Sequence, residues 1–166
     1  MSTRKTMNNY LLLALITLIP TLELRASIPY GILGLGMGWL EVFVVCVVVN
    51  AILGLIIYFL LDKVVHLFLH IKWIDKIYTR YVTKTQKKIH KYVEKYGEMG
   101  VAAFIAIPLP GSGSYSGALA AYLLGLGYRK FAIANLIGVV IAGVLVTAVV
   151  MLGDTVGLFS IFAKTL

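Results

Sequence analysis

Acidic residues are scarce in this chain: seven Asp and Glu stand against fifteen Lys and Arg, and charged residues of all kinds make up only 13%. A soluble globular domain carries nearly twice that share, so the soluble class is excluded. Cysteine is limited to Cys46, inside an apolar run, which rules out a disulfide framework and a thiolate metal site. Prolines number four, at 20, 29, 108 and 110, and all fall in two places where apolar sequence is interrupted. Residues 63–96 contain neither proline nor glycine. No nucleophile–base constellation appears and no glycine loop leads into Lys-Ser or Lys-Thr, so the chain does not read as an enzyme.

What is present is apolar: 60% hydrophobic residues and a mean hydropathy of +0.94. Leu40–Leu61 (22 residues) and Phe131–Gly153 (23 residues) are each long enough to cross a bilayer. Tyr10–Leu22 is apolar for only thirteen residues and Val101–Ile107 is shorter, lengths expected of re-entrant or buried segments. Arg4 and Lys5 ahead of the first run have the shape of a cleaved signal. Glu23 and Arg25, however, occupy the place of a small-x-small cleavage site, and none follows.

The two halves share an order of features. In the first, a short apolar run meets the polar break 20–29, then a glycine-marked arm from Gly31 to Gly38, then a span. In the second, a short run meets Pro108-Leu109-Pro110-Gly111-Ser112-Gly113, then an arm from Gly117 to Gly127, then a span. Gly34-Leu35-Gly36 corresponds to Gly125-Leu126-Gly127, and Ile19-Pro20 to Ile107-Pro108. Paired, interrupted hydrophobic segments point to a transporter's binding site. The expected fold is an all-α integral membrane protein of two repeats, each a re-entrant broken-helix hairpin plus a transmembrane helix. The expected single membrane domain covers 1–166: repeat one at about 8–61, repeat two at about 99–153 and a tail at 154–166.

Between the repeats, lysine or arginine recurs every three or four residues from Lys72 to Lys95, with Ile and Tyr at the same spacing on another face. That pattern predicts a long amphipathic helix in the membrane interface. Nine basic residues against four acidic ones over 62–98 place this segment in the cytoplasm, against anionic headgroups rather than nucleic acid. With re-entrant hairpins the repeats are inverted and Arg129 and Lys130 lie inside; with full crossings those assignments swap. The positive charges tie between the two, and the shortness of the first runs favours hairpins.

Glu23 and Arg25 are costly at membrane depth, and an intramembrane ionisable residue is functional by default. Glu23 reads as a proton carrier or counter-ion and Arg25 as an anion ligand; the alternative is a polar turn in interfacial water. Gly111, Ser112, Gly113, Ser114 and Tyr115 offer backbone N–H groups and hydroxyls ahead of a helix predicted near Ser116, which suits an anion. Close helix packing through Gly113 and Gly117 explains the same glycines equally well. Glu41 is an interfacial anchor or a second protonatable carboxylate, and Asp154 an anchor. Asn50 and Asn135 read as hydrogen-bond glue between helices. His66 and His70 are spaced i, i+4 without the acidic residue of H-E-x-x-H, so with His90 they give no metal site, and no cofactor is expected.

Glu23-Leu24-Arg25 with Ile28-Pro29, followed by Pro108–Gly113 leading into Tyr115-Ser116-Gly117, resembles the small multi-drug export branch of the DedA, or SNARE-associated, membrane proteins. The resemblance spans nearly the whole chain. It implies two re-entrant hairpins facing each other in a helical bundle, in the plasma membrane of a prokaryote, and a lipid-linked role. Members of the wider superfamily translocate polyprenyl phosphate carriers or scramble phospholipids, some with protons. Glu23 matches the acidic residue of the first motif. The wider pattern has arginines flanking the proline of its second break, and Ile105–Gly113 has none, so Arg25 and the glycine loop must hold any phosphate. Three functions are therefore expected in this order. The first is a transporter or flippase of a lipid-linked anion, with Glu23 and Glu41 coupling protons, Arg25 and residues 111–115 binding the anion, and Arg129 and Lys130 at the rim. The second is an exporter of small amphiphilic molecules. The third is a non-transporting membrane organiser. Lipids, protons and a second copy of the chain are the expected partners.

Overall fold

A computed structural model describes the backbone of residues 2–69, 97–108 and 112–155, and the side chains of 7–64, 97–108 and 112–153. The regular elements among the described residues are all helical, with no strand. In order they form α1 (Ser2–Thr17), α2 (Glu23–Pro29), a π-helical turn (Tyr30–Gly34), α3 (Trp39–Leu69), α4 (Gly97–Ala106), α5 (Ser114–Leu123) and α6 (Tyr128–Thr155). Most of the interfacial helix expected within 62–98 lies outside the described residues, as do Gly111, the side chains of His66, Asp154, Arg4 and Lys5, and the tail beyond 155. His70 and His90 fall there too.

The two long helices follow directly from composition. Trp39–Val64 and Tyr128–Gly153 are each 26 residues with mean hydropathies of 2.9 and 2.7. At 1.5 Å per residue that is about 39 Å of helix, more than a ~30 Å hydrocarbon core requires. Only 33% and 39% of their most apolar windows are buried within the protein. In α3 the covered residues Val42, Cys46, Asn50, Leu53 and Tyr58 run down one face, while Val44, Val48, Ile52 and Ile56 are exposed at steps of four. A water-facing helix is polar on that outer stripe; here the outer stripe is apolar, as lipid demands.

The chain divides into two compact units, Met1–Asn50 with Val140–Leu166, and Ala51–Val139. The first therefore contains α1, α2, the π turn, the start of α3 and the end of α6. There Gly31 admits Val42 and Leu13, whose side chains would lie 2.7–3.0 Å from an added Cβ. Gly143 likewise admits Val47 and Phe43.

The second unit contains the rest of α3, α4, α5 and the start of α6. Gly138 of α6 lies against the Ala102 carbonyl of α4, 2.7 Å from where a Cβ would sit, and Gly117 of α5 lies against Ile105. Asn135 rests on Gly54 and donates its Nδ2 hydrogen to the Ala51 carbonyl at 2.9 Å, which is the interhelical glue expected of it. Tyr58 stacks on Phe131 at 4.8 Å between ring centres and meets Tyr122 and Tyr128 edge-on. Its hydroxyl donates to the Leu126 carbonyl, fixing the α5–α6 turn.

One local expectation changes. Residues 20–29 were expected to form a single polar break between two prolines. The interruption is shorter, Leu18–Leu22, and Glu23–Pro29 is a helix. A proline closing a short helix is tolerated because the chain changes its bonding there. Pro29 has no N–H for the Arg25 carbonyl, and the next turn widens, with Leu35 N–H reaching back five residues to the Tyr30 carbonyl at 3.0 Å.

Candidate functional site

α2 begins with a conflict between backbone and side chain. Glu23 has φ +46°, and no other non-glycine residue among those described has positive φ. Left-handed backbone is unfavourable for a side-chain-bearing residue and persists where surrounding structure enforces it. Here the Glu23 N–H bonds to the Ile19 carbonyl at 3.0 Å, folding the chain back from α1 into α2. That turn points an ionisable side chain inward: Glu23 is 2% exposed.

The carboxylate is met from α3. Asn50 Nδ2 donates to Glu23 Oε2 at 3.4 Å, a long hydrogen bond across 27 residues of sequence. Asn50 is itself 1% exposed, and its Oδ1 has no hydrogen-bond partner among the described residues. Arg25, two residues on, is half-buried. Burial lowers its pKa, and the neighbouring Glu23 charge raises it again. A guanidinium stays protonated through such shifts, so Arg25 supplies a fixed positive charge to this part of α2.

Beside them runs a chain of hydroxyls. Thr17 Oγ1 donates to the Leu13 carbonyl at 2.8 Å and lies 2.7 Å from Ser27 Oγ, which in turn reaches the Glu23 carbonyl at 3.1 Å. Thr17 and Ser27 are fully buried, so the end of α1 and the middle of α2 are pinned by polar contacts in an otherwise apolar unit. Burying such groups is costly unless they are satisfied, and these satisfy one another.

The remaining predicted residues fall elsewhere. Glu41 is exposed in the first turn of α3 and accepts a hydrogen bond from Tyr10 of α1 at 3.1 Å. A carboxylate there also favours the positive end of the helix dipole. Arg129 and Lys130 are exposed in the first turn of α6.

Ser112, Gly113, Ser114 and Tyr115 belong to the second unit, whereas Glu23 and Arg25 belong to the first. α5 starts at Ser114, two residues earlier than expected. Its preceding residue, Gly113, has φ +134°, ψ −168°, which only glycine adopts readily, and no side chain caps the helix. Ser112 Oγ donates to the Ile107 carbonyl at 2.5 Å, spanning the α4–α5 break. A Cβ at position 117 would clash with the Ile105 side chain, so close packing accounts for that glycine, and the backbone angle accounts for Gly113.

The site residue that sequence reasoning missed as such is Asn50. Its signal was present, a polar side chain at mid-span, but one sequence does not say which of the polar residues in the preceding hairpin it meets.

Two bilayer-length helices with apolar outer faces, and a buried carboxylate at a break in a shorter helical pair, define an integral membrane protein of the all-α class. The profile of the family described as "Putative small multi-drug export protein" matches residues 23–145, which is 123 of the 166 residues, and the chain belongs to that family. The match opens on Glu23 and closes within α6, leaving α1 outside it. No curated protein and no solved structure matches the chain.

Proposed function

We propose that this protein exports small amphiphilic molecules across the membrane in which it sits, with protonation of Glu23 as the coupling step. The observation that carries this reading is a nearly inaccessible carboxylate held on a left-handed residue at a helical break. Charge at such a position is expensive, and a proton removes it, so proton binding and release can bias the arrangement of α1, α2 and α3. Membership of this family supports export as the class of activity. The chain then acts as a carrier, not a catalyst, in a prokaryotic plasma membrane, with residues 62–98 on the cytoplasmic side.

Efflux of a fluorescent amphiphilic cation from vesicles reconstituted with the purified protein tests this directly. Efflux should follow an imposed pH gradient and lose that dependence in Glu23→Gln. Gradient-dependent efflux at the wild-type rate in that variant overturns the proton role.

A second reading, transport of a lipid-linked anion such as a polyprenyl phosphate, is favoured by one observation: the half-buried guanidinium of Arg25 on the same helix as Glu23. The recurring order of elements fits it, as two DedA-type repeats would have that order. In each unit a broken helical pair is joined by the first part of the span that follows it and the second part of the other span. On that reading Arg25 and the 111–115 loop bind phosphate, while Glu41, Arg129 and Lys130 serve the entrance. Competition separates the two, since a polyprenyl phosphate should block dye efflux under the second reading and leave it unchanged under the first. If neutralising Lys84, Lys87, Lys88 and Lys91 abolishes function while Glu23→Gln does not, the membrane-organising role replaces both.

A further inference from the structure

Glu23 must be accommodated in two chemical states if it carries a proton, and these need opposite partners. A carboxylate accepts hydrogen bonds only; a carboxylic acid also has a hydrogen to donate. Asn50 offers both kinds of group on one planar amide. Its Nδ2 already donates to Glu23 Oε2 at 3.4 Å, while its Oδ1 is buried with no hydrogen-bond partner among the described residues. Asn135 Oδ1 is buried without a partner in the same way, and what sets Asn50 apart is that its bonded neighbour is a carboxylate, which on protonation brings a hydrogen to such an acceptor.

We infer that Asn50 is the positioning residue that reads the protonation state of Glu23: its amide N–H faces the carboxylate, and on protonation the amide turns so that Oδ1 accepts the Glu23 O–H. This deepens the proposed function and rests on the proton role given there to Glu23. The turn is a rotation about the last side-chain bond, whose profile is broad and roughly two-fold, so both orientations fit one backbone. Asn50 is the last residue of the first unit's share of α3. A change in its hydrogen bonding is therefore felt on a membrane-spanning helix, not on a surface loop.

The other ionisable groups of this unit leave the assignment to Asn50. On α2, Arg25 is a permanent cation whose charge acts on Glu23 in both states. On α1, Tyr10 is engaged with Glu41 of α3 at the exposed end. Cys46 of α3 is buried near the hydroxyls of Thr17 and Ser27. The share of α6 from Val140 to Gly153 contains no ionisable side chain.

The test is infrared difference spectroscopy of the full chain in lipid, stepped in pH, with asparagine carrying a carbon-13 label in its side-chain carbonyl. The wild type should show a carboxylic-acid band that appears on acidification and is absent in Glu23→Gln, together with a shift of a labelled amide band that is also absent in Glu23→Gln. In Asn50→Leu, which matches the shape without the polar groups, the acid band should move to higher frequency, because the acid loses the Asn50 amide as a hydrogen-bond partner. The pH dependence of that band should differ from wild type, because Leu offers a hydrogen bond to neither state of Glu23. Asn50→Asp should titrate together with Glu23 in two well-separated steps, as two carboxyls sharing one proton do. A Glu23 acid band with no labelled amide shift overturns the inference about Asn50 and leaves the proton role of Glu23 standing. Absence of any Glu23 acid band overturns both. The wild-type amide shift needs no variant to fold, so it decides the matter even if Asn50→Leu is unstable.

Discussion

The two compact units are built from the same kinds of part and bury different chemistry. The first buries Glu23 with Asn50, and the hydroxyls of Thr17 and Ser27; the second buries Ser112, Ser114 and Asn135 and no charged side chain among the described residues. Each contains one asparagine from a long helix. Asn135 bonds to a backbone carbonyl, a partner that never changes charge. Asn50 bonds to a carboxylate, a partner that can. The same side chain thus bonds to backbone in one unit and to an ionisable group in the other. The difference lies in the partner: a carboxylate of the short helix α2 for Asn50, and a backbone carbonyl of the long helix α3 for Asn135.

Loss of Glu23 is expected to have the largest consequence. Glu23→Gln keeps the size and the left-handed backbone and removes the titratable group. Gradient-driven export should fall at least about tenfold, an effect of ~1.4 kcal/mol or more on the transport barrier, measured as initial efflux rate. No comparable substitution exists in the second unit, since Ser112→Ala and Ser114→Ala leave no charge uncompensated.

Next comes packing, where the second unit should be the more sensitive. Gly138→Ala places a methyl 2.7 Å from the Ala102 carbonyl oxygen, a backbone atom that cannot rotate away. Overpacking of this kind costs about 1–3 kcal/mol, and a lowered unfolding temperature in detergent checks it. Gly143→Ala in the first unit meets the ends of the Val47 and Phe43 side chains instead, so its cost should be smaller.

The comparison of asparagines sharpens at the third level. Asn135→Leu should cost about 0.6 kcal/mol, the average for an interhelical hydrogen bond in a membrane, and leave the pH profile of export unmoved. Asn50→Leu should shift that profile. A shift of equal size in both variants would make the two asparagines equivalent and erase the distinction.

Tyr10→Phe should have the smallest effect. The Glu41 carboxylate, by accepting the phenol hydrogen, raises the pKa of Tyr10, with burial and the charge of Glu41 adding to it. The folded state therefore holds this proton more tightly than the unfolded chain does. The contribution is present below the ordinary tyrosine range and is lost as pH rises through the raised value. Phenolate absorbance of wild type minus Tyr10→Phe should show one tyrosine titrating late, with export unchanged at neutral pH.

Much of the architecture was legible in the sequence because run length and composition report directly on the bilayer. The two spans came from uninterrupted apolar residues, and Glu23 and Arg25 stood out because charge is rare in such a chain. The break around Pro108–Gly113 was legible for a related reason: two prolines and two glycines stop a helix locally, whatever surrounds it. Residues 20–29 misled for the same reason in reverse. Their two prolines suggested one long interruption, whereas Pro29 closes a helix whose bonding widens into a π turn.

Composition and spacing therefore determined the solvent, the long helices and the residues too costly to be accidental, all properties that act along the chain over one or two turns. Only the tertiary structure decided that Asn50 meets Glu23, that Thr17 meets Ser27, and that Asn135 rests on Gly54. Those pairings depend on which helix faces which at separations of 10 to 81 residues, and hydropathy carries no address for a partner so far away.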